Sequence, residues 1–320
     1  MMKTLIRAAL CCLLVPAVNV AHAADKVVAG SLGGQAPLWA IYVAMNKGFF
    51  TAEGIDLEFN FAQSGAAVTQ QLTGGSFDVA LSVGITDPIH AIDKGAPLAL
   101  IRIVGDAAPY VLIGKPELKS IKDLKGKTIS VGSASDITTV YFERMMEANG
   151  IKKGEYQIIS AGVAAARYAA LKAGVADAAV VLPPLNFVAA AAGYPTLGIA
   201  ADYVKDLPFT GMAVNRRWAD GHVAVAKRVL AATDKSVAWL TDPTHKEEAI
   251  ELLVTAAHST RPNAEASYDF MRHIKYFKAD SKVSRKKLQN LIDTERHSGN
   301  IGAGLTVDKL VMPGLTELTD

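Results

Sequence analysis

The chain has 320 residues, of which 50% are hydrophobic, and it carries 33 basic and 31 acidic side chains. This length and apolar fraction are enough for two hydrophobic cores of ordinary size. The near balance of charge, with Arg285-Lys286-Lys287 as the one short basic run, excludes the extended basic face that nucleic-acid binding requires. We therefore expect a globular protein without a nucleic-acid partner.

The first residues have the features of an export signal. Lys3 and Arg7 precede an apolar run at residues 8–18, and Ala21-His22-Ala23 is the small-x-small pattern of a signal-peptidase site. We predict a signal peptide at residues 1–23, cleavage after Ala23, and a mature protein in the periplasm. The two cysteines, Cys11 and Cys12, both fall in this leader, so the mature chain is expected to contain no disulfide.

A strand, a turn and a helix then follow each other twice. Residues 27–29 form an extended run, residues 30–35 a glycine-rich turn, and residues 38–45 an amphipathic helix. Residues 57–61 alternate as a strand, a helix runs from about residue 64 to the stop at Gly74-Gly75, and residues 77–81 form a third strand. Parallel strands place such loops at one edge of the sheet, where helix starts can bind a small ligand.

The same alternation restarts after an interruption, which indicates a second lobe. Residues 98–104 are apolar, residues 105–109 interrupt, and residues 110–113 resume as a strand. Further strands are predicted at residues 128–131, 157–159, 178–182 and 197–200, with helices after the first two. The chain returns across residues 207–211, and helices near residues 225–240, 246–258, 264–276 and 284–296 are expected to pack on the first lobe.

Several short segments resemble one protein family. They are NKGFF at 46–50, EGIDLE at 53–58, GSFDVA at 75–80, IKDLKGKT at 121–128 and ALKAGVADA at 170–178. They resemble the nitrate/sulfonate/taurine-type periplasmic solute-binding proteins of ABC importers, a group that includes domains similar to thiamine-pyrimidine synthesis proteins. The likeness covers about residues 27–215 and says little about the solute.

The resemblance implies an α/β periplasmic binding protein type II fold. Each of its two lobes has a mixed, mostly parallel sheet flanked by helices, and two hinge crossings join them. We predict lobe one at residues 24–106 plus 210–320 and lobe two at 107–209. The implied role is capture of a small solute by ligand-induced closure and its delivery to an inner-membrane permease with its ATPase. We expect a monomer.

Candidate ligand contacts are the loop residues at the predicted binding edges. Each has an ordinary structural alternative, such as a tight turn or a helix cap. The candidates in lobe one are Ser31, Gly33, Gly34, Gln35, Ser64, Gly65, Ala66, Ser82, Gly84 and Thr86, and those in lobe two are Ser133, Ser135, Asp136, Thr138, Pro183 and Asn186. The aromatic residues Trp39, Tyr42 and Phe187 could stack on a ring, although aromatics on helical faces are more often core.

The expected charge of the solute depends on helix termini and on Asp136. Converging helix starts favour a negative group, which predicts a small organic acid such as a carboxylate or sulfonate. Arg102 and Arg167 lie on a neighbouring strand and helix and not in the loops. Asp136 argues the other way, because an uncapped carboxylate facing the cleft would favour an amine or a hydroxyl-rich ligand.

No motif for catalysis stands out in the sequence. The patterns GxSxG, HExxH, GxGxxG and the P-loop are absent, and the histidines lack the spacing of a zinc helix. His90 is of interest because it lies just after the third strand's loop. We predict no cofactor, no metal and no enzyme activity. The alternative is an exported enzyme or sensor domain on the same fold, acting on a pyrimidine-like or other heterocyclic compound.

Overall fold

Two five-stranded sheets organise the chain in the computed structural model, which describes residues 23–33, 35–278, 280 and 282–320. The predicted leader up to residue 22 and the candidate Gly34 lie outside the described residues. Helices flank both sheets, so the predicted two-lobed α/β fold is confirmed. None of the helices described here is both long and apolar enough to cross a membrane.

The first sheet has the strand order β2-β1-β3-β10-β4. Strands β1, β2 and β3 run parallel, and β10 lies antiparallel between β3 and β4. All eight residues of β4 are buried, as expected for a strand covered on both faces. The strands are β1 (Asp25–Leu32), β2 (Ile55–Ala62), β3 (Val79–Gly84), β4 (Leu98–Gly105) and β10 (Thr210–Asn215).

The second sheet repeats this arrangement with the order β7-β6-β8-β5-β9. Strands β7, β6 and β8 are parallel to one another, and β5 pairs antiparallel with β8 and β9. The strands are β5 (Val111–Gly114), β6 (Thr128–Val131), β7 (Gln157–Ser160), β8 (Ala178–Val181) and β9 (Thr196–Ile199); a short pair, β11 (Val283–Ser284) and β12 (Leu318–Thr319), lies apart. We call the two halves lobe one and lobe two, and the residue boundaries given above stay a prediction.

Helices follow the strands on both faces. Those up to the second crossing are α1 (Trp39–Asn46), α2 (Phe49–Ala52), α3 (Gly65–Gly74), α4 (Thr86–Asp93), α5 (Ile137–Ala148), α6 (Ala164–Lys172), α7 (Leu185–Ala191) and α8 (Ala200–Tyr203). The rest are α9 (Arg216–Gly221), α10 (Val223–Thr241), α11 (Lys246–Ala256), α12 (Arg261–His273), α13 (Arg285–His297) and α14 (Val307–Leu310). Short 3-10 turns occur at Ala36–Leu38, Ile121–Leu124 and Pro243–His245.

The carboxyl-terminal helices pack on lobe one, as predicted. Helices α10 and α11 both contact α1. Trp39 of α1 is fully buried, and its indole N–H donates to the Ala249 carbonyl of α11 at 2.8 Å. Tyr42 is also buried in this core. Trp39 is therefore a core residue and not one that stacks on a ligand. Its hydrogen bond anchors α11 to α1.

One predicted boundary is wrong, and one helix was not predicted, in ways that matter for function. Strand β1 continues to Leu32, so Ser31 lies in a strand and not in a glycine-rich turn. Strand β1 pairs with β2 as far as Leu32 and Ala62. Gly30 and Ser31 do not end the strand, because β1 is hydrogen-bonded to β2 on one side and to β3 on the other. The sequence analysis also missed helix α4, which begins at Thr86 directly after β3.

An aromatic cluster lies where the chain crosses between the lobes. The Phe209 ring packs edge-on against Tyr110, Tyr141 and Tyr276, with centroids 4.9, 5.9 and 6.2 Å away. The Tyr141 hydroxyl donates to the Leu207 carbonyl at 3.0 Å, and the Phe209 N–H donates to the Gly105 carbonyl at 3.1 Å. The two crossings are thus joined side by side, which is the arrangement of a hinge.

We predict that Asn215→Ala destabilises lobe one. The buried Asn215 amide donates to the Leu72 carbonyl at 2.8 Å, and its oxygen accepts from the Arg217 N–H at 3.0 Å to cap α9. Loss of both bonds should lower the free energy of unfolding by about 1–3 kcal/mol. Urea unfolding measures the change. Asn60→Ala, which removes only an exposed bond to Glu58, should stay within about 0.5 kcal/mol of the parent protein.

Candidate functional site

A cavity of about 150 Å³ lies between the lobes, at the carboxyl ends of the parallel strands of both sheets. A cavity of this size holds a molecule comparable to benzene. It is lined from lobe one by residues after β1, β2 and β3 and from lobe two by residues after β6, β7 and β8. Ligands of α/β proteins bind at the carboxyl ends of the strands. This cavity lies at that position in both sheets.

Most of the candidates from the sequence meet in this cavity. Those that line it are Ser31, Gln35, Ser64, Gly65, Ala66, Ser82, Gly84, Ser133, Asp136 and Thr138. The hydroxyl of Ser31 donates to the Ser82 carbonyl at 2.6 Å, so its remaining capacity is as a hydrogen-bond acceptor. Ser64 accepts from the Ala67 N–H at 3.1 Å and caps α3.

Other candidates do not line the cavity. Gly33 lies against the Phe61 ring, and Thr86 and Asn186 are buried in the first turns of α4 and α7. The Pro183 carbonyl accepts from the Ala36 N–H at 3.1 Å and so links the two lobes. Ser135 is exposed and lies in a separate groove between α5 and α13. As contacts to a ligand in this cavity, these five positions are not supported.

The cavity also contains residues that sequence reasoning missed. The polar ones are Asp87, Tyr110, Arg167 and Thr210, and much of the remaining wall is apolar, formed by Leu32, Pro37, Leu38, Ile137, Val163, Ala164, Leu182 and Phe209. Asp87 was overlooked because α4 was not predicted. The available signal was Thr86-Asp87-Pro88, which is typical of a helix start.

Arg167 lies beneath the wall of lobe two and is 4% exposed. Its Nε donates to the Val180 carbonyl at 2.5 Å, and its Nη1 donates to the Gly162 carbonyl at 2.7 Å and to the Thr138 hydroxyl at 3.4 Å. These bonds hold the guanidinium between α6 and β8. The positive charge lies near Asp136, whose carboxylate it stabilises.

Asp136 both caps a helix and faces the cavity. One carboxylate oxygen accepts from the Thr139 N–H at 3.2 Å at the start of α5, and the other lies 3.4 Å from the Thr138 hydroxyl. Burial raises the pKa of Asp136, and Arg167 together with these hydrogen bonds opposes the rise. Asp136 therefore caps α5 and lines the cavity at the same time, and its contact with a ligand stays a prediction.

The carboxylate of Asp87 is less well stabilised than that of Asp136. Among the described residues it accepts no hydrogen bond, and it lies where a side chain at Gly65 would collide with it. Burial, and secondly the negative charge of Asp136, raise the pKa of the Asp87 carboxyl to about 7. One turn further along α4, His90 hydrogen-bonds the buried carboxylate of Glu295 on α13. His90 therefore lies behind the cavity wall and does not line the cavity.

Metal binding has no support in the part of the chain that the structure describes. No group of three or more histidine, cysteine, aspartate or glutamate side chains could hold an ion there. In the described cavity wall, no serine hydroxyl is hydrogen-bonded to a histidine or a carboxylate. The arrangement is suited to binding through hydrogen bonds, two carboxylates and an apolar surface.

The fold and cleft define a two-lobed protein of the periplasmic-binding type. The family model described as "NMT1/THI5 like" matches residues 36–246, so the chain belongs to that family. This confirms the resemblance seen in the sequence. No curated protein sequence matches the chain.

Solved structures share the fold at low sequence identity. The alkanesulfonate-binding protein SsuA from Xanthomonas axonopodis pv. citri, bound to MOPS, has 17% identity and a TM-score of 0.77, with 90% of this chain and 98% of that chain covered. A ligand-binding component of an ABC-type import system from Staphylococcus aureus has 15% identity and a TM-score of 0.77, with 91% and 97% covered. An enzyme, DSZB in complex with biphenyl-2-sulfinic acid, has 15% identity and a TM-score of 0.65, with 91% and 97% covered.

We predict that Asp87→Asn stabilises the ligand-free protein at high pH. A carboxyl with a folded-state pKa of about 7 and an ordinary unfolded-state pKa lowers stability as pH rises from about 4 to 7, because ionisation favours the unfolded chain. Relative to the parent, the variant should be equal at pH 4 and more stable by up to about 4 kcal/mol at pH 8. Chemical unfolding at both pH values tests this; an equal difference at the two would contradict it.

Proposed function

We propose that the chain is the exported solute-binding component of an ABC importer, which closes its two lobes on one small organic solute and delivers it to an inner-membrane permease and its ATPase. The observation that carries the proposal is the cavity lined by equivalent loops of both sheets. Family membership and the fold shared with a component of an ABC-type import system support it. The leader-like residues 1–23 support a periplasmic location.

Closure is the physical step that this function needs. Lobe contacts flank the cavity: Ala36 bonds Pro183, and Phe187 of α7 packs against Phe270 of α12 with ring centroids 6.1 Å apart. A methyl group added at Gly84 in lobe one would lie 2.7 Å from the Ile137 side chain in lobe two. We expect the Ala36–Pro183 and Phe187–Phe270 contacts to break when the lobes open. A solute that touches both lobes therefore favours the closed state over the open one.

The sequence analysis predicted a negatively charged solute from the helix starts at the cavity. The structure weakens that prediction. Four of the described helix starts line the cavity, those of α3, α4, α5 and α6. Ser64 caps α3 and Asp136 caps α5, and α4 carries the carboxylate of Asp87 in its own first turn. The start of α6 at Ala164 has no side-chain cap and remains open to a ligand acceptor atom. An organic acid thus has one helix terminus and Arg167 in its favour and two carboxylates against it.

A second candidate is an enzyme on the same fold, which the likeness to DSZB keeps in view. The described cavity wall contains no cysteine and no serine paired with a base through its hydroxyl. Incubation with a solute that stabilises the protein, followed by mass spectrometry, separates the two functions. A binding protein returns the solute unchanged, and turnover would support the enzyme.

We predict that Gly84→Ala impairs closure. The added methyl group would press on Ile137 across the cleft, so the variant should favour the open state and bind its solute about tenfold or more weakly. Small-angle scattering should show compaction of the parent protein on solute addition and a smaller compaction of the variant.

Gly74→Ala is the matched control, because a side chain at this helical glycine meets nothing within 4 Å. The control should close and bind like the parent. Scattering curves of the parent that do not change with any stabilising solute would contradict capture by closure.

A further inference from the structure

The two carboxylates of the cavity come from opposite lobes. Asp87 lies in the first turn of α4 in lobe one, and Asp136 lies at the start of α5 in lobe two. Both line the same cavity of about 150 Å³. An inference from this pair concerns the chemical class of the solute and rests on the proposed function.

Two glycines allow the carboxylates to lie where they do. A Cβ built on Gly65 would be 2.1 Å from an oxygen of Asp87, and a Cβ built on Gly132 would be 1.8 Å from an oxygen of Asp136. Any side chain at either position would displace the carboxylate beside it. The backbone of each lobe therefore leaves the space that its own carboxylate occupies.

The charges around the pair do not balance it. Arg167 is the one arginine or lysine in the described cavity wall, and three of its hydrogen bonds go to the Val180 and Gly162 carbonyls and the Thr138 hydroxyl. Behind Asp87, His90 is engaged by the buried Glu295. An added anion would meet two carboxylates at close range in a poorly solvated space, whereas a cation would relieve their repulsion.

We propose that the solute is a small organic cation whose positively charged nitrogen lies between Asp87 and Asp136, with its apolar body against the wall that includes Leu38, Ile137 and Phe209. The nitrogen links the two lobes through charge-assisted hydrogen bonds. Without the cation the repulsion between the two carboxylates weakens the closed state, and the cation removes that repulsion. The uncapped start of α6 accommodates an acceptor group on the far end of the same molecule.

Proton linkage follows from this arrangement. The groups that act on Asp87 are Asp136 across the cleft, His90 on its own helix and Glu295 on α13, and together with burial they place its pKa at about 7. A cation binds the ionised form, so binding below pH 7 releases a proton. For a ligand that stays cationic, affinity should fall about tenfold per pH unit below 7 and be constant above it.

Matched probes test the sign of the charge. Propylammonium and propionate, and benzamidinium and benzoate, are pairs of similar size and opposite charge. At pH 8 at least one cation should raise the melting temperature and bind in titration calorimetry, and its matched acid should do neither. At pH 6, calorimetry in buffers of different ionisation enthalpy should detect release of a proton on binding. If no cation binds better than its matched acid, or if binding takes up a proton, the proposal is wrong.

Variants connect the effect to the pair. Asp87→Asn should weaken binding of the best cation about tenfold or more and abolish proton release. Asp202→Asn, at an exposed position of α8 outside the cavity, removes the same charge and should leave affinity within about twofold. If a matched acid binds and compacts the protein, the proposal of a cationic solute is wrong, and the proposal of solute capture stands. Capture itself fails only when no stabilising solute compacts the protein.

Discussion

Asp87 and Asp136 bring like charges from two lobes into one cavity, and like charges in a poorly solvated space repel each other. The two carboxylates are not equally stabilised by their surroundings. Asp136 has the α5 helix start and Arg167, while Asp87 has no hydrogen bond from a described residue and its pKa rises to about 7. We therefore expect a bound cation to change the environment of Asp87 more than that of Asp136.

The two carboxylates can face each other because both lobes have the same arrangement of strands. In each sheet three parallel strands end at the same edge, and the two edges face each other across the crossings. Small residues at these ends, among them Gly65, Gly84 and Gly132, allow backbone and carboxylates from the two lobes to approach closely. Helices on both faces bury the strands, and the loops at these edges bring polar groups of the two lobes together.

The sequence predicted the architecture well because its signals are local. Strand β6 begins and ends where its pattern predicts, a helix follows β7 as expected, and α3 begins beside residue 64 as predicted. The site was predicted less well because it depends on long-range placement. Asp87 required knowledge that β3 is followed at once by a helix, and Arg167 reaches the cavity from within α6, a position that no loop pattern indicates. Ser135, two residues from the cleft-facing Ser133, is turned to solvent on the same loop.

Phe209 belongs both to the crossing between the lobes and to the wall of the cavity, and so does its neighbour Tyr110. In the opening that we propose, the rings that shift are thus rings of the cavity wall. Release then has two coupled requirements, separation of the charges and sliding of these aromatic edges. The lifetime of the complex should accordingly follow how well the apolar body of the solute fills the space beside Phe209, even among solutes whose charged ends are identical.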